Sequence, residues 1–545
     1  MRELPQSCIE PKGFNRTEPE TEMLRIGEPY DRWQLAVGII AAALSIASTA
    51  YYFEHHLILG YQDSFSHLEL SRRFIVGTSP GIAQLGGVWL PLPQVLQALF
   101  SWNYTLYSTG LSGSVVSMAS YVAVTVLLYR TIRVYSGDRK WPAVAGALVF
   151  AVNVNVLYHQ STSMDELPFY AFTTGAVYYL VKWGETRDPT RVLTASIASL
   201  LAMLCRYEGW FLAVAYVICV GLMGWRFRYS WRDIRGLALV FSLFGVGISA
   251  VGWIIYNYLI FKNPLNFENG PQSSAAQMTE KRNHAINIGN WPLTLKGYYT
   301  MLASDLGLVV LALGAIGLVV FILAERFSAR SLPVLALISV VPFYVYTLEA
   351  GDEPISMSGQ SGLLNYRFGL IVAIPIAILT GYLIAKMPRW SMTAVAILVI
   401  LGVSGLSAQA FRQHQVVLAT EAGQDLYAQR YQIQAADFLE KTNGLVLIDI
   451  VQNERVDFPV IDRTIYDGTK ESGRNQWVSV LHDPLAFGVK VIVMRLPNPA
   501  EPPDEVYGAL HGSPLLKKNY VLVFRSSAYV IYEASTGTPA KAAHA

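Results

Sequence analysis

Charge is scarce in this chain. Asp, Glu, Lys and Arg make up 15% of the 545 residues and hydrophobic residues 53%, whereas charged residues are roughly a quarter of a soluble globular protein. That balance excludes a soluble globular domain as the whole molecule and predicts a polytopic membrane protein. Cysteine is scarcer still, with three residues. Cys8 lies in a polar tail and Cys205 and Cys219 in apolar runs, so neither a disulfide framework nor a thiolate metal site is expected. There is no long run of Lys or Arg, which removes nucleic acid from the expected partners. Internal repeats and low-complexity tracts are also missing. A cleavable leader is not expected, because the first apolar run begins only near Trp33, behind a polar tail, and is long enough to stay as an anchor.

Long apolar runs are what the sequence has in plenty. Eleven approach the roughly 17–25 residues that cross a bilayer: 33–53, 108–130, 142–158, 168–183, 191–206, 209–225, 236–260, 304–324, 332–348, 368–386 and 391–410. The loops between them segregate by charge. One set carries Arg130, Arg133, Arg139 and Lys140, then Lys182, Arg187 and Arg191, then Arg226, Arg228, Arg232 and Arg235, then Arg326 and Arg330, then Lys386 and Arg389. The alternate set holds Asp63, Asp165, Glu166, Glu208, Glu349, Asp352 and Glu353. By the positive-inside rule the first set and the N-terminal tail, 1–32, are expected to be cytoplasmic, and the acidic set faces outward across the plasma membrane.

The expected fold is therefore an all-α polytopic membrane protein of about 11 transmembrane helices over 33–410, with long outer loops at 54–107 and 262–303. In the first loop the apolar stretch 94–100 is too short to span and predicts an interfacial helix. The second carries Lys281, Arg282, His284 and Lys296. From about residue 411 the composition turns to that of a soluble α/β domain, placed outside the membrane by the odd number of spans. An amphipathic helix is expected over 426–441, with short strands near 445–450, 489–495, 520–524 and 529–532. The domain ends near 535, and 536–545 is expected to be a disordered tail.

Ionisable residues beside membrane spans are costly unless they do something. Directly after the first run comes Gly60-Tyr-Gln-Asp-Ser-Phe-Ser-His-Leu-Glu-Leu-Ser-Arg-Arg-Phe74. As a helix it puts Asp63 and His67 on one face, four residues apart, and Glu69 and Arg73 in a second such pair. The outer ends of later runs add His159-Gln-Ser-Thr-Ser-Met-Asp-Glu-Leu-Pro168, Arg206-Tyr-Glu208 and Asn365-Tyr-Arg367. Each has a plainer reading. Arg72 and Arg73 suit anchors to lipid phosphate, Arg206 and Glu208 suit a pair closing a tight turn, and Glu166 suits a first-turn acid facing a helix dipole.

Taken with Gly86-Gly-Val-Trp-Leu-Pro-Leu-Pro93 and Cys205-Arg-Tyr-Glu-Gly-Trp210, these clusters resemble the GT-C superfamily of integral-membrane glycosyltransferases. The resemblance is to the protein O-mannosyltransferase and aminoarabinose transferase branch, over roughly 30–410. The Asp-Glu doublet that some relatives carry after the first span is here Asp63-Ser64. The resemblance implies a GT-C fold and an inverting transfer of a sugar from a polyprenyl-phosphate-linked donor to an acceptor hydroxyl on a glycan, lipid or protein. Such chemistry needs a carboxylate to take the acceptor proton, for which Asp63 is the candidate. It also needs cations for the leaving phosphate, for which Arg367, Arg206, Arg72 and Arg73 qualify. His67, Asp165, Glu166, Arg206, Glu208, Tyr366 and Arg367 are the expected substrate-binding residues. No cofactor is required, although Asp63, His67, Asp165 and Glu166 are ligand types that suit a divalent cation. Two other classes fit the composition: a transporter or flippase of lipid-linked sugars, and a non-catalytic glycolipid-binding protein. Transporters place polar groups near the bilayer midplane, whereas here they sit at span ends.

Overall fold

The computed structural model describes residues 31–535, apart from 138, 271–272, 274–275, 277–286, 352–363, 451–452, 467–473 and 498–502. Cys8, Lys281, Arg282, His284, Asp352, Glu353, the N-terminal tail before residue 31 and the C-terminal tail lie outside the described residues.

Each of the eleven apolar runs falls on helix. Among the described residues, eight helical stretches are long and apolar enough to cross a membrane, from Arg32–Glu54 to Arg389–Ala428. The runs at 142–158 and 191–206 form shorter helices, Lys140–Ala151 and Thr190–Met203. The first of these breaks because the Asn153 side chain accepts the N–H groups of Asn155 and Val156 and starts a new helix, Val154–His159. Large apolar side chains such as Leu239, Leu243, Val251 and Ile255 point outward from the stretch Trp231–Phe261, as expected of a lipid-facing surface. The stretch Tyr366–Ala385 is the opposite case, with nearly all of its residues buried. It packs between Lys140–Ala151 and Leu308–Glu325. Close approach there depends on small residues: a Cβ on Gly317 would sit 2.6 Å from the Leu379 carbonyl, and one on Gly146 would sit 2.6 Å from that of Ala377.

The first long loop folds into helices Gln62–Ile75, Leu92–Ser101 and Tyr104–Ser108. Leu92–Ser101 covers the expected interfacial segment, burying Gln94, Gln97 and Ala98 and leaving Leu99 outward. After the last long helix, Arg389–Arg412, the chain turns through His414 and continues as Val417–Ala428 and Arg430–Leu439.

The C-terminal domain is a five-stranded mixed sheet of order β2-β1-β3-β5-β4. Its strands are β1 (Leu445–Leu447), β2 (Thr464–Ile465), β3 (Val489–Arg495), β4 (Tyr520–Arg525) and β5 (Tyr529–Ala534). β1 runs parallel to β2 and β3, while β5 is antiparallel to β3 and β4. Alternation along β3 feeds two cores, Val491 and Val493 on one face and Ile492 and Met494 on the other. The domain docks on the first-loop helices, where Phe458 and Ile461 pack on Phe65, Leu68 and Tyr107.

Candidate active site

Four segments that are distant in sequence bring their ionisable residues together. Asp63 is in the first turn of Gln62–Ile75. Asp165 and Glu166 open the helix Glu166–Thr186. Arg206 lies in the turn before Glu208–Arg226, which Glu208 begins. Arg367 lies in a tight helical segment, Tyr366–Val372, entered through Asn365 at φ 57°. Acids thus collect at helix N-termini, where the dipole favours them. The Asp165 loop is pinned to the Asp63 helix, because Ser163 Oγ donates to the Ser64 carbonyl at 2.9 Å and the Gln97 amide donates to the Ser163 carbonyl at 2.8 Å. Gly113 lies so close below that a Cβ there would strike Ser163.

Two guanidiniums thread the acids. Arg206 donates to Asp165 at 2.6 Å, to Glu166 at 3.0 Å and to Glu208 at 2.8 Å. Arg367 donates to Asp63 Oδ2 at 2.6 Å and lies 3.2 Å from the same Glu166 oxygen that Arg206 uses. The other Glu166 oxygen is 2.9 Å from His159 Nε2, and Tyr344 donates to Glu208 at 2.7 Å. Both guanidiniums lie near the ring of Phe368, 5.7 and 5.5 Å from its centroid. Burial on this scale is tolerable only because each charge is paired. One acid stands apart: the Asp63 side chain is 33% exposed, whereas those of Asp165, Glu166 and Glu208 are 7%, 2% and 9% exposed.

The expected Asp63, Asp165, Glu166, Arg206, Glu208 and Arg367 therefore form one connected group. His67 joins its edge. Its Nε2 lies 4.0 Å from Asp165, its Nδ1 meets the Gln94 amide at 2.9 Å, and its ring lies against Trp89. The ring is turned toward the helix Leu92–Ser101. Tyr366 is half-buried, within electrostatic range of Asp305 and Glu421. Arg72 does not reach the cluster. It is turned to the C-terminal domain, bidentate on Asp462, and to the Ser101 carbonyl at 2.5 Å, so it is neither a lipid anchor nor a phosphate ligand here. Glu69 is turned the same way. It lies beside Asp457, with Arg73 in electrostatic range. Burial among acids raises both carboxyls, Asp457 to about 7.

Glu421 and Asp425, on Val417–Ala428, were not singled out from sequence. Glu421 accepts the Tyr61 hydroxyl at 3.0 Å, and Asp425 lies in electrostatic range of Asp63 and Arg367. Their spacing of four residues on a helix just past the last span was the available signal.

With this geometry established, the likeness to known proteins is specific. The family model for dolichyl-phosphate-mannose-protein mannosyltransferase matches residues 93–250. That span holds Asp165, Glu166, Arg206 and Glu208 and stops short of Asp63 and Arg367. Among solved structures, ArnT from Cupriavidus metallidurans bound to undecaprenyl phosphate matches with a TM-score of 0.55 at 13% identity, covering 92% of this chain and 99% of that one. The protein is an integral membrane protein of GT-C fold. The apo state of the same ArnT matches this GT-C chain with a TM-score of 0.54 at 13% identity, covering 91% of this chain and 98% of that one. The archaeal oligosaccharyltransferase AglB from Archaeoglobus fulgidus, in complex with an inhibitory peptide and a dolichol-phosphate, is a looser match. Its TM-score is 0.47 at 12% identity, over 85% of this chain and 69% of that one. No curated protein matches the chain. The resemblance drawn from short motifs, to the O-mannosyltransferase and aminoarabinose transferase branch of the GT-C superfamily, is borne out.

Proposed function

We propose that the protein is a glycosyltransferase that moves a sugar from a polyprenyl-phosphate-linked donor to an acceptor hydroxyl at the outer membrane face, with inversion. The observation that carries this reading is Asp63, the most exposed carboxylate of a buried ion-pair network that gathers at the ends of apolar runs. Support for the donor class comes from the likeness to an ArnT solved with undecaprenyl phosphate and from the family model.

In this mechanism the acceptor O–H gives its proton to Asp63 as its oxygen bonds the anomeric carbon. The bond from that carbon to the phosphate oxygen breaks, and the phosphate leaves carrying the negative charge. Arg367, next to Asp63, is the cation best placed to meet that charge. Asp165, Glu166 and Glu208 are too buried and too fully engaged to act as bases. Their role is to hold Arg206 and Arg367 in place, while His67, at the buried edge of the network, and the half-buried Tyr366 contribute to substrate binding. Glycans, lipids and proteins of the cell envelope all offer a suitable acceptor hydroxyl.

A divalent cation would need oxygens of Asp63, Asp165 and Glu166 to converge. Each carboxylate is instead turned to a guanidinium, and among the described residues no three His, Cys, Asp or Glu side chains gather as a metal group. The residues as arranged do not fit a cation, and no step is routed through one.

The test is release of polyprenyl phosphate from a panel of undecaprenyl-phosphate sugars by membranes containing the full chain. Wild type should turn over at least one member of the panel, and Asp63→Asn should lose roughly 10²–10⁴-fold. Near-normal turnover by Asp63→Asn would remove the assignment.

A further inference from the structure

The helix Val417–Ala428 follows the last long helix and leads to the C-terminal domain, yet its side chains reach both halves of the Asp63–Arg367 pair. Glu421, 5% exposed, accepts the Tyr61 hydroxyl at 3.0 Å and the backbone N–H of Asn365. Asn365 is two residues before Arg367 and turns the chain in the left-handed region at φ 57°, a conformation that Asn adopts more readily than most residues other than glycine. One turn further on, Asp425 lies within electrostatic range of Asp63 and Arg367, close to the backbone of Gln62. Gln62 is the first residue of the helix that carries Asp63, and that helix has no capping side chain of its own, so its open N-terminal N–H groups favour a nearby carboxylate such as Asp425. The ring of Tyr61 lies between the two halves, with the Arg367 guanidinium 5.6 Å from its centroid.

The helix is itself fixed. Its Leu418 N–H donates to Asn155 at 3.1 Å and its Leu418 carbonyl accepts from Tyr61 at 3.1 Å. Ala422 packs so tightly on Gly60 that a Cβ there would lie 2.7 Å from the alanine Cβ.

We propose that Glu421 and Asp425 are positioning residues of the active site. Glu421 holds the turn that presents Arg367, Asp425 faces the N-terminus of the helix that presents Asp63, and one rigid helix sets the distance between base and cation. The inference rests on the reaction proposed above. Neither carboxylate is required to touch substrate.

The experiment uses the full-length chain in nanodiscs. Hydrogen exchange is followed at 60–64 and 364–368, and undecaprenyl phosphate is the binding probe. The expected result for Glu421→Ala is faster exchange at 364–368, and for Asp425→Ala at 60–64. Probe affinity should fall roughly tenfold to a hundredfold, with an unfolding midpoint close to wild type. Glu421→Gln and Asp425→Asn, which keep an acceptor oxygen, should recover most of both losses. Unchanged exchange and affinity in both alanine variants, with Arg367→Ala still weakening the probe, would overturn the positioning role and leave the donor reading standing. A wild-type chain that does not bind the probe would overturn the donor reading, while the exchange data would still decide whether the helix holds the two segments. If Glu421→Ala does not fold, Asp425→Ala carries the same test at the other half of the pair.

Discussion

Glu166 is the residue through which the two halves of the site communicate, since one of its oxygens faces both Arg206 and Arg367 and the other faces His159. Removing it leaves two buried guanidiniums short of counter-charge. Glu166→Ala is therefore expected to cost about 3–5 kcal/mol of stability, read as a lower unfolding midpoint and poor yield. Arg367→Ala should be milder for the fold and harsher for the donor: its saturation with polyprenyl-phosphate sugar should weaken more than that with acceptor. Equal weakening of both would make Arg367 a structural residue. Because the carboxylates are turned to arginines, a strong chelator is expected to leave turnover unchanged. The clustered residues were legible in the sequence for one reason: an ionisable side chain beside an apolar run is expensive, so each such run end marked a candidate. Arg72 was misread because the same cost can be met by a partner in another domain, here Asp462. Glu421 and Asp425 escaped notice because acids on an amphipathic helix beyond the last span look like a solvated face.

At the scale of elements, the contact between Gln62–Ile75 and the C-terminal domain buries two carboxyls side by side. Glu69 and Asp457 are both buried and within electrostatic range of each other, with Arg73 and Glu454 alongside. Asp457 is raised from 3.8 to about 7 in the folded protein. A carboxyl raised on folding lends stability that is complete below its unfolded value and is lost as pH rises through the folded one. Docking of the domain should therefore weaken as pH climbs from about 4 to about 7. Asp457→Asn should flatten that dependence, which limited proteolysis of the full chain across the range would show. Pro or Gly did not mark the break at Asn153, which is why 142–158 read as one run; the side-chain cap that makes the break is visible only in three dimensions. Gly381 makes a second test at this scale. A Cβ there would lie 2.7 Å from Ile132, so Gly381→Leu should separate the helices of the buried centre and abolish folded protein in detergent.

For the whole molecule, the lengths and order of the apolar runs carried most of the architecture, because a segment that must satisfy its backbone inside lipid has little choice but helix. The sheet order of the C-terminal domain was not readable, since β1, β2 and β3 pair in parallel through crossovers that no local pattern specifies. Nor was its docking, in which Glu454 reaches Gln62 at 3.3 Å and Arg455 reaches the Leu59 carbonyl at 3.1 Å, beside the helix that carries Asp63. The account as a whole makes this chain a transferase whose base is Asp63. The direct measurement is mass spectrometry of cell-envelope glycans from cells lacking the protein, cells given it back, and cells given Asp63→Asn at equal membrane abundance. A sugar mass should vanish on deletion, return with wild type and stay absent with Asp63→Asn; its return with Asp63→Asn would contradict the account.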